Sequence, residues 1–145
     1  MLSKTYLYSI DIDTWMEGAS MITPRVGAAC CEIKDDDGQT TKILVAGGYS
    51  GTEKLKTTEI YDLSQETWTS GPAIDSRIHN SRLVTAPFGS SYAAYILSGL
   101  RDTNNQKDIN GISKDLSWWT KLGSIERERT ATTVIMIDKN IIEGC

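Results

Sequence analysis

The sequence predicts an all-β chain: an arc of a β-propeller holding about three blades of an expected six. Three observations lead there. Marker residues recur at a period near 50, each period is built of short β-type segments separated by turns, and no segment carries the 3.6-residue apolar stripe of a helix. Trp15, Trp68 and Trp119 lie 53 and 51 residues apart, and Arg25, Arg77 and Arg127 lie 52 and 50 apart. Gly48 and Gly99 are 51 apart, each closing an apolar run. Tyr8 precedes Trp15 by seven residues, as Tyr61 precedes Trp68. Several independent markers at one period describe a supersecondary unit stacked on copies of itself.

The elements follow in order. Residues 1–19 read as the last two strands of a blade, ending near Trp15. Residues 20–70 read as a complete blade. Its first strand is the small, apolar run 26–33, closed by the turn Lys34-Asp35-Asp36-Asp37-Gly38. Its second strand is 42–46, ended by Gly47-Gly48, and a polar loop follows at 50–54. Its third, 57–63, alternates as a half-buried strand should, and a short turn leads into Thr67-Trp68-Thr69. Residues 71–121 repeat the pattern with wear, and 102–108 form a long polar loop. Residues 122–145 start a further blade, with 131–137 as its first strand and 141–144 as its second. Closed propellers hold about four to eight blades. The expectation is therefore a fragment or an open arc, whose uncovered apolar blade faces favour self-association.

Charge and composition narrow the function classes. The net charge is −4 and the pI about 5.0, which argues against nucleic acid or an anionic membrane as the main partner. No apolar run approaches the roughly 18 residues of a membrane helix. The start, Met1-Leu2-Ser3-Lys4, lacks the basic and apolar regions of a signal peptide, and no Asn-x-Ser/Thr sequon occurs. A cytoplasmic location is expected. Three cysteines make no disulfide framework: Cys30 and Cys31 are expected to pack as buried reduced thiols, and Cys145 is the last residue. One histidine, His79, and no Cys-x-x-Cys pair leave zinc unsupported, and no metal or cofactor is expected. Asp35-Asp36-Asp37 lacks the ligand spacing of a calcium loop and reads as a solvated turn. His79 shares no motif with a nucleophile and reads as a loop-to-strand junction residue.

The segments Thr23-Pro24-Arg25-Val26-Gly27, Ile43-Leu44-Val45-Ala46-Gly47-Gly48-Tyr49, Glu59-Ile60-Tyr61-Asp62 and Thr67-Trp68 resemble the kelch repeat. The second copy departs from it. Ser98-Gly99 stands for Gly-Gly, Ile112-Ser113 for Tyr-Asp, and His79 is aligned with Gly27. Most markers have structural roles. Gly47, Gly48 and Gly99 allow turns where a Cβ would clash, while Trp15, Trp68, Trp119 and Tyr61 fill the space between blades.

The resemblance implies a protein-interaction module whose partners bind the face made by two loop sets. The loops between blades supply Arg25, Val26, Arg77, Ile78, Arg127 and Glu128; the loops between second and third strands supply Tyr49, Ser50, Leu100 and Arg101. In kelch-like ubiquitin-ligase adaptors such positions contact short acidic peptides, a chemistry that arginine forks suit. Here no Ser follows the loop arginines, and Glu126 and Glu128 flank Arg127. The leading expectation is the substrate-recognition propeller of an adaptor for a cullin–RING ubiquitin ligase, not an enzyme. A cytoskeletal, actin-binding scaffold is the alternative within that class. A kelch-type oxidase or sugar epimerase is the alternative outside it; a copper radical oxidase needs two histidines, and this span holds only His79.

Overall fold

The computed structural model describes residues 2–100 and 107–127, and among them every regular element is a strand. β1 (Thr5–Ser9) and β2 (Thr14–Gly18) form a hairpin. β3 (Ala29–Lys34), β4 (Thr40–Ala46), β5 (Thr58–Asp62) and β6 (Thr67–Gly71) form one antiparallel four-stranded meander. β7 (Arg82–Thr85), β8 (Tyr92–Leu97), β9 (Asp108–Ser113) and β10 (Trp119–Ser124) form a second. These are propeller blades, each laid flat against the next. The strands read in 131–137 and 141–144, the loop residues 101–106, and Cys145 lie outside the described residues.

Burial follows from this stacking. Thr58, Glu59, Ile60 and Tyr61 are buried in succession because β5 is covered on both faces, so the alternation expected of a half-buried strand is absent there. Between the sheets, Ala29, Leu44 and Ala46 pack with Leu83, Ala94 and Ile96. Each large aliphatic side chain removed from water contributes about 1.5–3 kcal/mol. Two polar ties cross the same seam: Thr85 Oγ1 donates to the Glu32 carbonyl at 2.8 Å, and Lys114 meets Asp36 at 2.7 Å. The second is exposed and screened by solvent, so it contributes little.

Gly47 shows why a glycine closes the second strand. Its φ is +65°, and a Cβ there would run into the backbone carbonyl of Ile78, which accepts a 2.8 Å hydrogen bond from Gly48 N–H. The loop entering the second blade thus rests directly on the end of β4.

The tryptophans tie each outer strand to the loop entering its own blade. Trp68 Nε1–H donates to the Ala19 carbonyl at 3.0 Å, and Trp119 Nε1–H donates to the Pro72 carbonyl at 3.1 Å. Trp15 corrects the expectation of an inter-blade filler: it is 68% exposed, on a hairpin whose neighbouring sheet β3–β6 leaves it uncovered. Cys30 is a second correction. Strand alternation turns it to solvent, while Cys31 faces inward, where burial pushes its thiol up to about 12.

Candidate functional site

The two loop sets meet on one face, and their backbone contacts define how the blades correspond. Met21 N–H donates to Ser3, Ile74 to Lys56, and Ile125 to Lys107, each through backbone at 2.8–2.9 Å. Four residues after these points stand Arg25, Ile78 and, in sequence, Arg129. Isolated bridges agree: Val26 pairs with Tyr49, and His79 pairs with Leu100. Gly27 and Asn80 share a left-handed φ, at 63° and 53°. Hence Ile78, not Arg77, occupies the place of Arg25. His79 matches Val26, and Asn80 matches Gly27. The arginine period misaligns the blades, by one residue at Arg77 and by two at Arg127, because it follows residue identity although the loops are of equal length. Counting ten from each tryptophan reaches Arg25, Ile78 and Arg129, and is the signal available in the sequence.

Arg25 is 7% exposed and turned inward, which corrects its expected contact with a partner. Its guanidinium donates to the carbonyls of Gly47 (2.7 Å) and Thr57 (2.9 Å), to Thr57 Oγ1 (2.9 Å), and to Glu59 Oε1 (2.8 and 3.2 Å). Glu59 also accepts the backbone N–H groups of Ile22 (2.6 Å) and Thr23 (3.0 Å). Buried charges persist when paired and hydrogen-bonded in this way. The pair joins the loop entering the blade to the middle of β5, and so sets the height at which Val26 emerges. Ile78 is likewise buried, packing under the face rather than on it.

The expected residues that do reach the surface are Val26 (54% exposed), Tyr49, Ser50, Arg77, Leu100 and Arg127. Arg101 lies outside the described residues. Val26 and Tyr49 are drawn together with Lys54, His79, Asn80 and Gly27 around a shallow cavity of about 370 Å³. Lys54, His79 and Asn80 are not among the site residues expected from sequence. They sit there because Lys54 pairs with Tyr49 across the loop, and because Asn80 N–H bonds the Gly27 carbonyl at 2.8 Å. His79 Nδ1 is buried and has no hydrogen-bond partner among the described residues.

The loop carrying Tyr49 is held in place by its own polar groups. Tyr49 OH donates to the Gly51 carbonyl at 3.0 Å, and Ser50 Oγ caps Glu53 N–H at 3.3 Å. Arg77 reaches across the blade boundary to Glu53 at 2.8 Å, so its charge is shared on the rim. The face therefore combines exposed aromatic and aliphatic surface, an amide, Lys54 and the Arg77–Glu53 pair. That composition suits an extended polypeptide with acidic side chains more than a small apolar molecule.

The opposite face holds the strand-to-strand turns. There Asp35 caps its own turn through Asp37 and Gln39 N–H, as a solvated turn does.

Comparison with known proteins agrees with this architecture. Residues 39–73 match the Kelch motif family model. The Kelch repeat-containing protein kel-10 of Caenorhabditis elegans is 23% identical over 104 residues, covering 70% of this chain and 18% of that protein. A Kelch repeat and BTB domain-containing protein of the same organism is 23% identical over the same length. The F-box/kelch-repeat protein SKIP30 of Arabidopsis thaliana is 38% identical over 68 residues, 46% of this chain and 17% of that protein. The chain thus spans under a fifth of the length of these relatives. The solved structure of YjhT superposes with a TM-score of 0.67 at 12% identity, over 86% of this chain and 46% of that one, and shares the fold. The chain thus carries a kelch motif within its four-stranded blades and is similar to kelch-repeat proteins.

Proposed function

We propose that the chain is the partner-reading part of an adaptor propeller, which holds an acidic segment of another protein on the face around Val26, Tyr49, Lys54, His79 and Asn80. One observation carries the reading: loops from two blades converge on one shallow cavity, on a scaffold that spends its buried charges on holding those loops. Arg77 and Lys54 supply the charge that favours carboxylates, and Tyr49 supplies a rigid apolar platform. The relatives named for F-box and BTB domains support the reading of an adaptor of a cullin–RING ubiquitin ligase; a cytoplasmic place and the lack of a catalytic step belong to the proposal itself. Uncovered blade faces make self-association part of the same reading.

The test is binding of fluorescent Glu/Asp-rich decapeptides, with Lys-rich peptides of the same length as controls. The expected result is retention of acidic peptides alone, weakening with salt, and loss in Lys54→Glu and Arg77→Glu. Equal binding of both peptide sets would overturn the acidic-segment reading. The adaptor role is tested by whether a cullin co-precipitates with the protein expressed at full length.

A further inference from the structure

The rim of the loop face already holds a carboxylate against its arginine. Arg77, on the loop entering the second blade, meets Glu53 of the first blade at 2.8 Å, and the two side chains are 49% and 54% exposed. Glu53 does not ride on a loose loop. Ser50 N–H donates to the Glu53 carbonyl at 2.9 Å, and Glu53 N–H donates to Ser50 Oγ at 3.3 Å. Leu55 N–H donates to the Gly48 carbonyl at 2.8 Å, which closes the same turn. The other partner is fixed as well: next to Arg77, Ile78 N–H donates to the Leu55 carbonyl at 3.0 Å. The carboxylate is thus presented to the guanidinium from backbone that is tied on both sides.

This pair borders the cavity lined by Val26, Tyr49, Lys54, His79 and Asn80, since Glu53 precedes Lys54 and Arg77 lies two residues before His79. It differs in kind from Arg25–Glu59, whose side chains are 1% and 2% exposed and brace the blade. An ion pair in solvent adds little to the fold, but it decides which carboxylate the arginine meets. A guanidinium edge holds one carboxylate at a time. A partner's Glu or Asp that takes the edge now facing Glu53 must displace it, and exchanging one carboxylate for another gains little. The affinity of an acidic segment then comes from contacts beyond Arg77, on Val26, Tyr49 and Lys54.

We propose that Glu53 is a built-in competitor for the acidic segment: its carboxylate occupies Arg77 as a partner's would, and the wild-type face holds acidic segments more weakly than its arginine allows. Glu53 is in this sense a specificity-determining residue, because it lowers the reward for a carboxylate alone and leaves the apolar contacts to discriminate. The inference rests on the reading of the loop face as an acidic-segment site, and the experiment below separates the two.

Fluorescence anisotropy of a labelled Glu/Asp-rich decapeptide with the 145-residue chain and its variants, at one low salt concentration, tests it. Glu53→Gln keeps the shape of the side chain and removes its charge. It is expected to bind about two- to fivefold tighter than wild type, the worth of an exposed ion pair. Asp37→Asn removes a charge from an exposed turn on the opposite face and is expected to leave the affinity unchanged. Arg77→Gln is expected to weaken binding, and adding Glu53→Gln to it to bring much less than Glu53→Gln brings with Arg77 present. All of these residues are exposed, so the circular dichroism spectra should match that of wild type. A gain that is the same with and without Arg77, or matched by Asp37→Asn, would mean that net charge alone acts, and would overturn the proposal. So would unchanged or weaker binding by Glu53→Gln where wild type binds, with the acidic-segment reading left standing. Binding by neither chain would overturn that reading and the proposal with it, whereas binding by Glu53→Gln alone would support both.

Discussion

The blade β3–β6 and the blade β7–β10 solve the same packing problem with different residues. In the first, Arg25 and Glu59 form a buried ion pair; at the equivalent places the second has Ile78 and Asn110. In the first, Asp62 takes the N–H groups of Ser64 and Gln65 to shape the outer turn; in the second, Ser113 Oγ takes those of Ser117 and Trp118. Gly47 at φ +65° becomes Ser98 at φ +58°. The lesson is that a repeat drifts in coupled units. Losing one member of a buried pair strands a charge, so both members change together. The hydrogen-bonding task of a turn survives a change in the residue that performs it.

That comparison is broken most sharply at the ion pair. Glu59→Ala leaves Arg25 buried without its carboxylate, and the expected loss is about 3–5 kcal/mol of stability. Arg25→Ile combined with Glu59→Asn transplants the second blade's residues into the first. The double variant is expected to lie above Glu59→Ala, as urea unfolding midpoints would show. A double variant as unstable as the single would mean the two blades do not share a frame.

The next effect lies at the tryptophans. Trp68→Ala removes a part-buried ring and a hydrogen bond to Ala19, at a cost of about 3 kcal/mol. Trp15→Ala removes an exposed ring, and the same unfolding measurement at concentrations where copies are separate should show a change under about 0.5 kcal/mol. Gly47→Ala forces a Cβ toward the Ile78 carbonyl at a left-handed φ, and is expected to cost about 2 kcal/mol in the same assay.

The smallest effect is chemical. Cys31, with its thiol pushed up to about 12 by burial, holds only a trace of thiolate at mildly alkaline pH, since a raised pKa leaves the thiol protonated until the pH nears it. Cys30 is exposed on the other face of β3. Peptide mapping after brief iodoacetamide treatment should find Cys30 carbamidomethylated many times faster than Cys31. Similar rates would mean that β3 is not covered as described.

Much of the fold is legible because it is written in spacing. Trp68, Tyr61 and Gly48 hold the period, and residues 20–70 fold as the strand and turn signals imply. The site is less legible, for two physical reasons. An arginine in a loop looks the same in sequence whether it faces solvent or a buried glutamate; Arg25 turns in to Glu59 of β5, and Arg77 pairs with exposed Glu53. The arginines also shift their place within loops of equal length, so residue identity matches Arg77 to Arg25 although backbone contacts match Ile78. Lys54, His79 and Asn80 carry no motif. Only the crossing of one blade's loop over the next brings them to the cavity.

The central claim is that partners meet the loop face around Tyr49 and His79 and not the turn face that carries Phe88 and Trp118. Hydrogen exchange of the chain with and without a Glu/Asp-rich decapeptide tests it most directly. Protection is expected to be confined to 26–28, 49–54 and 77–80. Protection at 34–38, 86–91 or 114–118 instead would contradict it.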